Sequence, residues 1–119
     1  MIHAIACLLF PLLGGCQPYI DYTASPSAVL RDEAYFVGRP VIVTGKVDRL
    51  QQLSGASFGT PAEMFSLCDR RCIQIFMREH TPMFQGERVS VRGIFAIGQR
   101  VGKLRLRDDI VASEIFPRQ

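Results

Sequence analysis

Two cysteines four positions apart, Cys68 and Cys72, are the most reactive pair the sequence offers. Asp69-Arg70-Arg71 between them reads as the turn of a hairpin, which sets Cys68 directly opposite Cys72. The spacing differs from the redox C-x-x-C motif. Zinc would need His80 as a third ligand and a carboxylate as a fourth, because the only other histidine is His3. A structural disulfide is therefore the favoured reading, no metal is expected, and His80 is read as a solvated loop side chain. Asp108, Asp109 and Glu114 are carboxylates near a strand end, where a polar turn is the ordinary explanation. Neither a nucleophile elbow, a phosphate loop nor a metalloprotease motif is present, so no catalytic residue, cofactor or enzymatic activity is expected.

Cys16 stands in a different setting. Ala4 to Leu13 is an apolar run broken only by Pro11, too short to span roughly 30 Å of hydrocarbon. Leu13-Gly14-Gly15-Cys16 then resembles the bacterial lipobox, although Met1-Ile2-His3 carries no positive charge before it. The resemblance implies cleavage before Cys16, a thioether-linked diacylglycerol on its sulfur, and stable anchoring by two or three acyl chains. The alternative is a buried N-terminal helix that happens to contain Cys16, against which Gly14-Gly15 and Pro18 argue. Gln17 after the lipidated cysteine, in place of Asp, implies an outer-membrane destination facing the periplasm in a Gram-negative cell. Disulfides persist there.

The expected organisation is a cleaved leader over 1–15, a lipidated tether over 16–24 and one domain over 25–119. Removing the leader from 119 residues leaves 104, enough for a single core. With 48% hydrophobic and 21% charged residues, the composition is that of an ordinary globular chain. The formal net charge of +3 is concentrated in the second half, where residues 69–119 carry ten basic and six acidic side chains. That is sparse for a nucleic-acid domain.

The elements follow from patterning. Ser25 caps a short helix with Pro26 at its first position, predicted to end near Ala34. Gly38-Arg39-Pro40-Val41-Ile42-Val43-Thr44-Gly45 reads as a strand, and its glycines and valines recur 48 positions later at Gly86, Val89, Val91 and Gly93. This echo predicts two barrel strands with inward valines and a glycine where each coils sharply. Gln51 to Ala62 is a predicted loop, and Met64 to Arg78 a hairpin. In the latter, Leu67 opposes Ile73, Phe65 opposes Ile75, Ser66 opposes Gln74 and Met64 opposes Phe76. Met83 and Phe84, after Pro82, are candidates to plug one barrel end. Ile97 to Gly102 forms a turn, and Ile110 to Phe116 the last strand. The fold class expected is all-β: a five-stranded OB-fold β-barrel with a short N-terminal helix.

Tyr35, Gly38, Val41, Val43, Gly45, Val47, Gly86, Val89, Val91, Gly93 and Leu104 to Ile110 resemble the tRNA_anti-like family of bacterial OB-fold proteins. The resemblance covers roughly residues 25 to 116 and implies the architecture of anticodon-binding domains, with no catalytic residues to carry over. Pro82-Met83-Phe84 before Gly86 is also similar to the periplasmic haem chaperone of cytochrome c maturation. Haem ligation there uses a histidine near the C-terminus, and no histidine follows His80 here.

In OB barrels the outer face of the second and third strands is the usual binding surface. The hairpin register puts Met64, Ser66, Gln74, Phe76 and Arg78 on that face, as a candidate ligand site. Phe76 either stacks on a base or aromatic ligand or anchors a protein partner, or it merely covers the barrel beneath the long first loop, Gln51 to Ala62. One phenylalanine and one arginine favour a protein or small ligand in the cell envelope, with single-stranded nucleic acid as the alternative. The oligomeric state is not legible from the sequence.

Overall fold

The computed structural model describes residues 22–53, 61–98, 100–101, 104–105 and 107–117. The leader, Cys16 and most of the tether lie outside the described residues. Ten elements follow in order: β1 (Tyr22–Ala24), α1 (Pro26–Arg31), α2 (Glu33–Phe36), β2 (Pro40–Leu53), β3 (Ala62–Cys68), β4 (Cys72–Met77), β5 (Arg88–Ile97), β6 (Arg100–Val101), β7 (Leu104–Arg105) and β8 (Asp108–Pro117).

The helix starts as expected, with Pro26 in its first turn and the Ser25 hydroxyl accepting the Ala28 N–H at 3.1 Å. It does not run to Ala34. Asp32 leaves helical geometry (φ −138°, ψ 57°) and divides the segment into α1 and α2. Six residues cannot hold a helix alone in water. Val29, fully buried in the barrel core, supplies about 1.5–3 kcal/mol and seats α1 on the barrel.

Five strands close the barrel. β2 pairs antiparallel with β3, β3 with β4, β8 with β5, and β5 with β2, while β4 and β8 run parallel. This is the OB-fold. β1 adds a short parallel edge beside the start of β2, while β6, inside the segment expected to be only a turn, pairs antiparallel with β7 just beyond it as a separate two-stranded sheet. Alternate residues of each strand fill the core: Val41, Val43 and Val47, Phe65 and Leu67, Ile73 and Ile75, Val89, Val91 and Phe95, and Ile110. Met83 packs against this core as expected, whereas Phe84 is 69% exposed and plugs nothing.

The sequence echo has a geometric meaning. β2 and β5 are neighbours, with Val43 opposite Val91, Val41 opposite Gly93 and Gly45 opposite Val89. The Gly38 N–H donates to the Phe95 carbonyl and the Gly86 N–H to the Val47 carbonyl, each at 2.8 Å. Every member of these pairs maps onto its counterpart through the offset of 48, so the two segments form a local quasi-two-fold unit flanked by β3 and β8. Gly45 and Gly93 serve close strand approach. A Cβ on Gly93 would stand 2.4 Å from the Val111 carbonyl oxygen, and one on Gly45 2.8 Å from that of Cys68.

β2 is longer than its apolar run suggests. Gln51 to Leu53, assigned to a loop by composition, pair with Met64 to Ala62 beyond an irregularity between Asp48 and Gln51. Arg49 takes a positive φ of 55° at that irregularity.

Candidate functional site

The β3–β4 hairpin has the register derived from its alternation, residue for residue from Glu63–Met77 to Cys68–Cys72. Cys68 and Cys72 close it, disulfide-bonded with Cα atoms 4.1 Å apart, so neither serves as a thiolate ligand. Within the turn, Asp69 accepts the Arg71 N–H at 3.1 Å and the Ser27 hydroxyl at 2.6 Å. Burial works to raise the Asp69 pKa, but hydrogen bonds from Ser27, Arg71 and Arg70 outweigh it and hold the carboxyl below its ordinary value. The turn is thereby tied to α1, and Arg71 is held at the rim of the sheet face.

The five residues expected on the outer face are there, and the face divides in two. Met64 is 8% exposed and Phe76 0%, forming a second apolar cluster with Ala62 against Leu53 and Val111. The Arg78 guanidinium lies 5.9 Å above the Phe76 ring. Phe76 is thus a covered packing residue: of the roles expected for it, covering the barrel fits its burial and an outward platform does not. Its partners come from β2, β3 and β8, whose proximity a hairpin register does not reveal.

Ser66 and Gln74 are accessible and sit side by side in the adjoining row. Around them is a groove of about 320 Å³ lined by Leu30, Arg49, Ser66, Arg71, Cys72, Gln74, Arg107 and Asp108. A recess of about 170 Å³ with Gln51, Met64 and Phe65 on its walls shares Arg49, Ser66 and Gln74 with it. Three arginines, from β2, the hairpin turn and the β7–β8 connection, therefore line one groove with a serine and an amide. Sequence reading missed Arg49, Arg71 and Arg107. The excess of basic residues after position 68 was the available signal for the last two.

Carboxylates border and underlie this groove. The Glu33 pKa is raised, foremost by its carboxyl contact with Asp108, then by burial and the Asp108 charge, while Arg71 opposes. Asp109 continues the outer-face row from Gln74 onto β8. It is 1% exposed, and among the described residues no well-formed hydrogen bond reaches either carboxyl oxygen. Burial, assisted by the Asp108 charge and opposed by the Arg107 backbone N–H, pushes its pKa up to about 6.

At the far end of β3, Glu63 is buried and accepts the Thr81 N–H at 2.6 Å. Burial raises its pKa, against the Thr81 bond and the His80 charge. The exposed His80 ring is not merely solvated, because Nε2 lies 2.8 Å from the Ala62 carbonyl oxygen and donates to it in the matching tautomer. These contacts pin the β4–β5 connection to the barrel. They lie away from the groove.

No family model matches the sequence, and no curated protein matches it either. Solved structures share the fold at low identity. An aspartyl-tRNA synthetase from Leishmania major Friedlin superposes with a TM-score of 0.59 over 87% of this chain at 12% identity. This chain spans only 22% of the synthetase. The OBody AM1L10, bound to hen egg-white lysozyme, gives a TM-score of 0.58 at 17% identity, covering 86% of this chain and 98% of its own. A second OBody bound to lysozyme, AM3L09, gives 0.51 at 20% identity over 70% of this chain and 84% of its own. At these identities the likeness establishes the fold alone: the protein is an OB-fold barrel.

Proposed function

We propose that the protein is a non-enzymatic lipoprotein of the bacterial envelope, anchored through Cys16, whose barrel binds a polar, acidic segment of a partner protein or a small acidic ligand. The groove over β3 and β4 is the observation that carries this reading. Arg49, Arg71 and Arg107 present planar, permanently charged donors suited to carboxylates, and Ser66 and Gln74 add neutral donors and acceptors between them. The OBodies bound to lysozyme illustrate that this barrel can engage a protein. Leu13-Gly14-Gly15-Cys16 supports the anchor, Gln17 supports the outer membrane, and the glycine-valine pattern supports kinship with the tRNA_anti-like family.

Single-stranded nucleic acid is the weaker reading. Affinity for it depends on aromatic platforms as well as charge, and the Phe76 ring on this face is fully buried. Two measurements on protein extracted from membranes test the proposal. Intact mass should show loss of residues 1–15 and addition of acyl chains, and an unmodified chain would refute the anchor. Envelope partners captured by wild type should be lost with Arg71→Glu or Arg107→Glu. Tight oligonucleotide binding that falls steeply with salt would instead favour the alternative.

A further inference from the structure

Single exposed apolar side chains are common on any protein and need no explanation. Here their distribution is uneven. Among the described residues, the exposed large apolar side chains are Tyr35 at 44%, Val37 at 43%, Ile94 at 41%, Ile97 at 52% and Phe84 at 69%. Four of these five share one end of the barrel. Ile94 lies opposite Pro40 at the start of β2, and the Gly38–Phe95 hydrogen bond brings Val37 alongside the end of β5, where Ile97 sits. Phe84 precedes β5 and belongs to the opposite end.

Tyr35 extends this end into an aromatic and cationic cluster. Its ring meets Tyr22 edge-on with centroids 5.7 Å apart. The Arg39 guanidinium stacks 4.6 Å from the Tyr35 centroid and 5.5 Å from that of Tyr22, and its Nη1 donates to the Tyr22 hydroxyl at 3.4 Å. Tyrosine and arginine combine an apolar body with a polar tip, the combination enriched where membrane meets water.

The chain enters the barrel at this same end, because β1 runs parallel to the start of β2 with Tyr22 opposite Val41. Five residues, 17 to 21, separate Tyr22 from Cys16. Six Cα steps of at most ~3.6 Å reach about 20 Å. The opposite end is a further ten-residue strand away, about 33 Å along β5. A domain held on so short a tether keeps the end bearing Tyr22 toward the bilayer and the end bearing Phe84 away from it.

We infer that the Tyr35–Val37–Ile94–Ile97 face rests on the lipid surface, seated in the headgroup region of the membrane that holds the acylated Cys16. The inference rests on the lipid-anchor reading. Ile97 borders a cleft lined also by Glu33, Asp108, Arg105 and Arg107, two acidic and two basic residues, so the cleft itself carries little net charge and Arg39 leaves this end only weakly positive. Apolar insertion and interfacial tyrosines drive the contact. It requires no anionic lipid.

The chain contains no tryptophan, so one introduced tryptophan is a sole reporter. Lipidated full-length mature protein carrying Val37→Trp, Ile97→Trp or Phe84→Trp is reconstituted into phosphatidylcholine vesicles containing dibrominated lipid, after its acylation has been read by intact mass. Val37→Trp and Ile97→Trp should be quenched about threefold more than Phe84→Trp, with little change in high salt or on adding phosphatidylglycerol. Equal quenching at all three positions overturns the inference while leaving the anchor intact. Blue-shifted emission from Val37→Trp without bromolipid quenching overturns it too, since a second copy would then cover the face. An unacylated mass refutes the anchor, and this orientation with it.

Discussion

Replacing Asp109 with asparagine should stabilise the protein at neutral pH and leave it nearly unchanged in acid. In the folded chain the carboxyl is covered, and burial holds its pKa at about 6 against an ordinary 3.8. A raised folded pKa means that the native state holds the proton more tightly than the unfolded chain. The stability linked to this group is therefore full below about 3.8 and is lost as the pH climbs through about 6. At 1.36 kcal/mol per pKa unit the upper figure is about 3 kcal/mol. Solvent in the adjoining groove screens part of this, so about 1–3 kcal/mol is expected. Urea denaturation of wild type and Asp109→Asn between about pH 4 and pH 7.5 reads it directly. The difference between the two isolates Asp109 from Glu33 and Glu63, whose raised pKa values bring them into this range. It should be near zero at the acid end and grow to about 1–3 kcal/mol in favour of the variant at the neutral end. A difference independent of pH, or a carbon NMR titration placing Asp109 near 3.8, would refute the reasoning.

Further outcomes follow from the same contacts. Gly93→Ala should cost about 2–4 kcal/mol in urea denaturation, because the Val111 carbonyl that its Cβ would meet belongs to a paired strand with little freedom to yield; a loss under 1 kcal/mol would contradict that contact. Phe76→Ala should lower stability by about 3–5 kcal/mol as a core truncation does, and a variant that kept full stability while losing partner binding would restore Phe76 as a contact residue. Reducing the Cys68–Cys72 bond should cost about 2 kcal/mol by thermal melting and leave the barrel folded, since the closed loop is short. Ser25→Ala should cost about 1 kcal/mol and loosen hydrogen exchange in α1 before the strands; uniform loss of protection would contradict a local cap.

Much of the barrel was legible where local rules act alone. The turn Asp69-Arg70-Arg71 and strict alternation set the β3–β4 register and with it the opposition of Cys68 and Cys72, because a one-residue slip would turn either Phe65 and Leu67 or Ile73 and Ile75 out of the core. The spaced valines and glycines of β2 and β5 announced two equivalent strands, although the reason for Gly45 and Gly93 is the approach of β3 and β8 rather than sharp coiling. What escaped the sequence depends on long-range pairing. Parallel β4 and β8 set Phe76 beside Val111 and Gln74 beside Asp109, burying one outer row and placing an acid under the other. Arg49 lies in β2, Arg71 in the hairpin turn and Arg107 between β7 and β8, so only the closed barrel gathers them into one groove.

The central claim is that this groove holds a protein segment or small ligand at an envelope surface. A photo-cross-linking amino acid in place of Gln74, at the groove floor, and another in place of the exposed Arg88, at the start of β5, test it in living cells. For a protein partner, Gln74 should yield a discrete adduct that disappears when Arg71 is changed to Glu, while Arg88 yields none. A small ligand should instead protect the Gln74 site from added cross-linking competitors in the same Arg71-dependent way. Nucleic-acid adducts at Gln74, or identical adducts at both positions that ignore Arg71→Glu, would contradict the account.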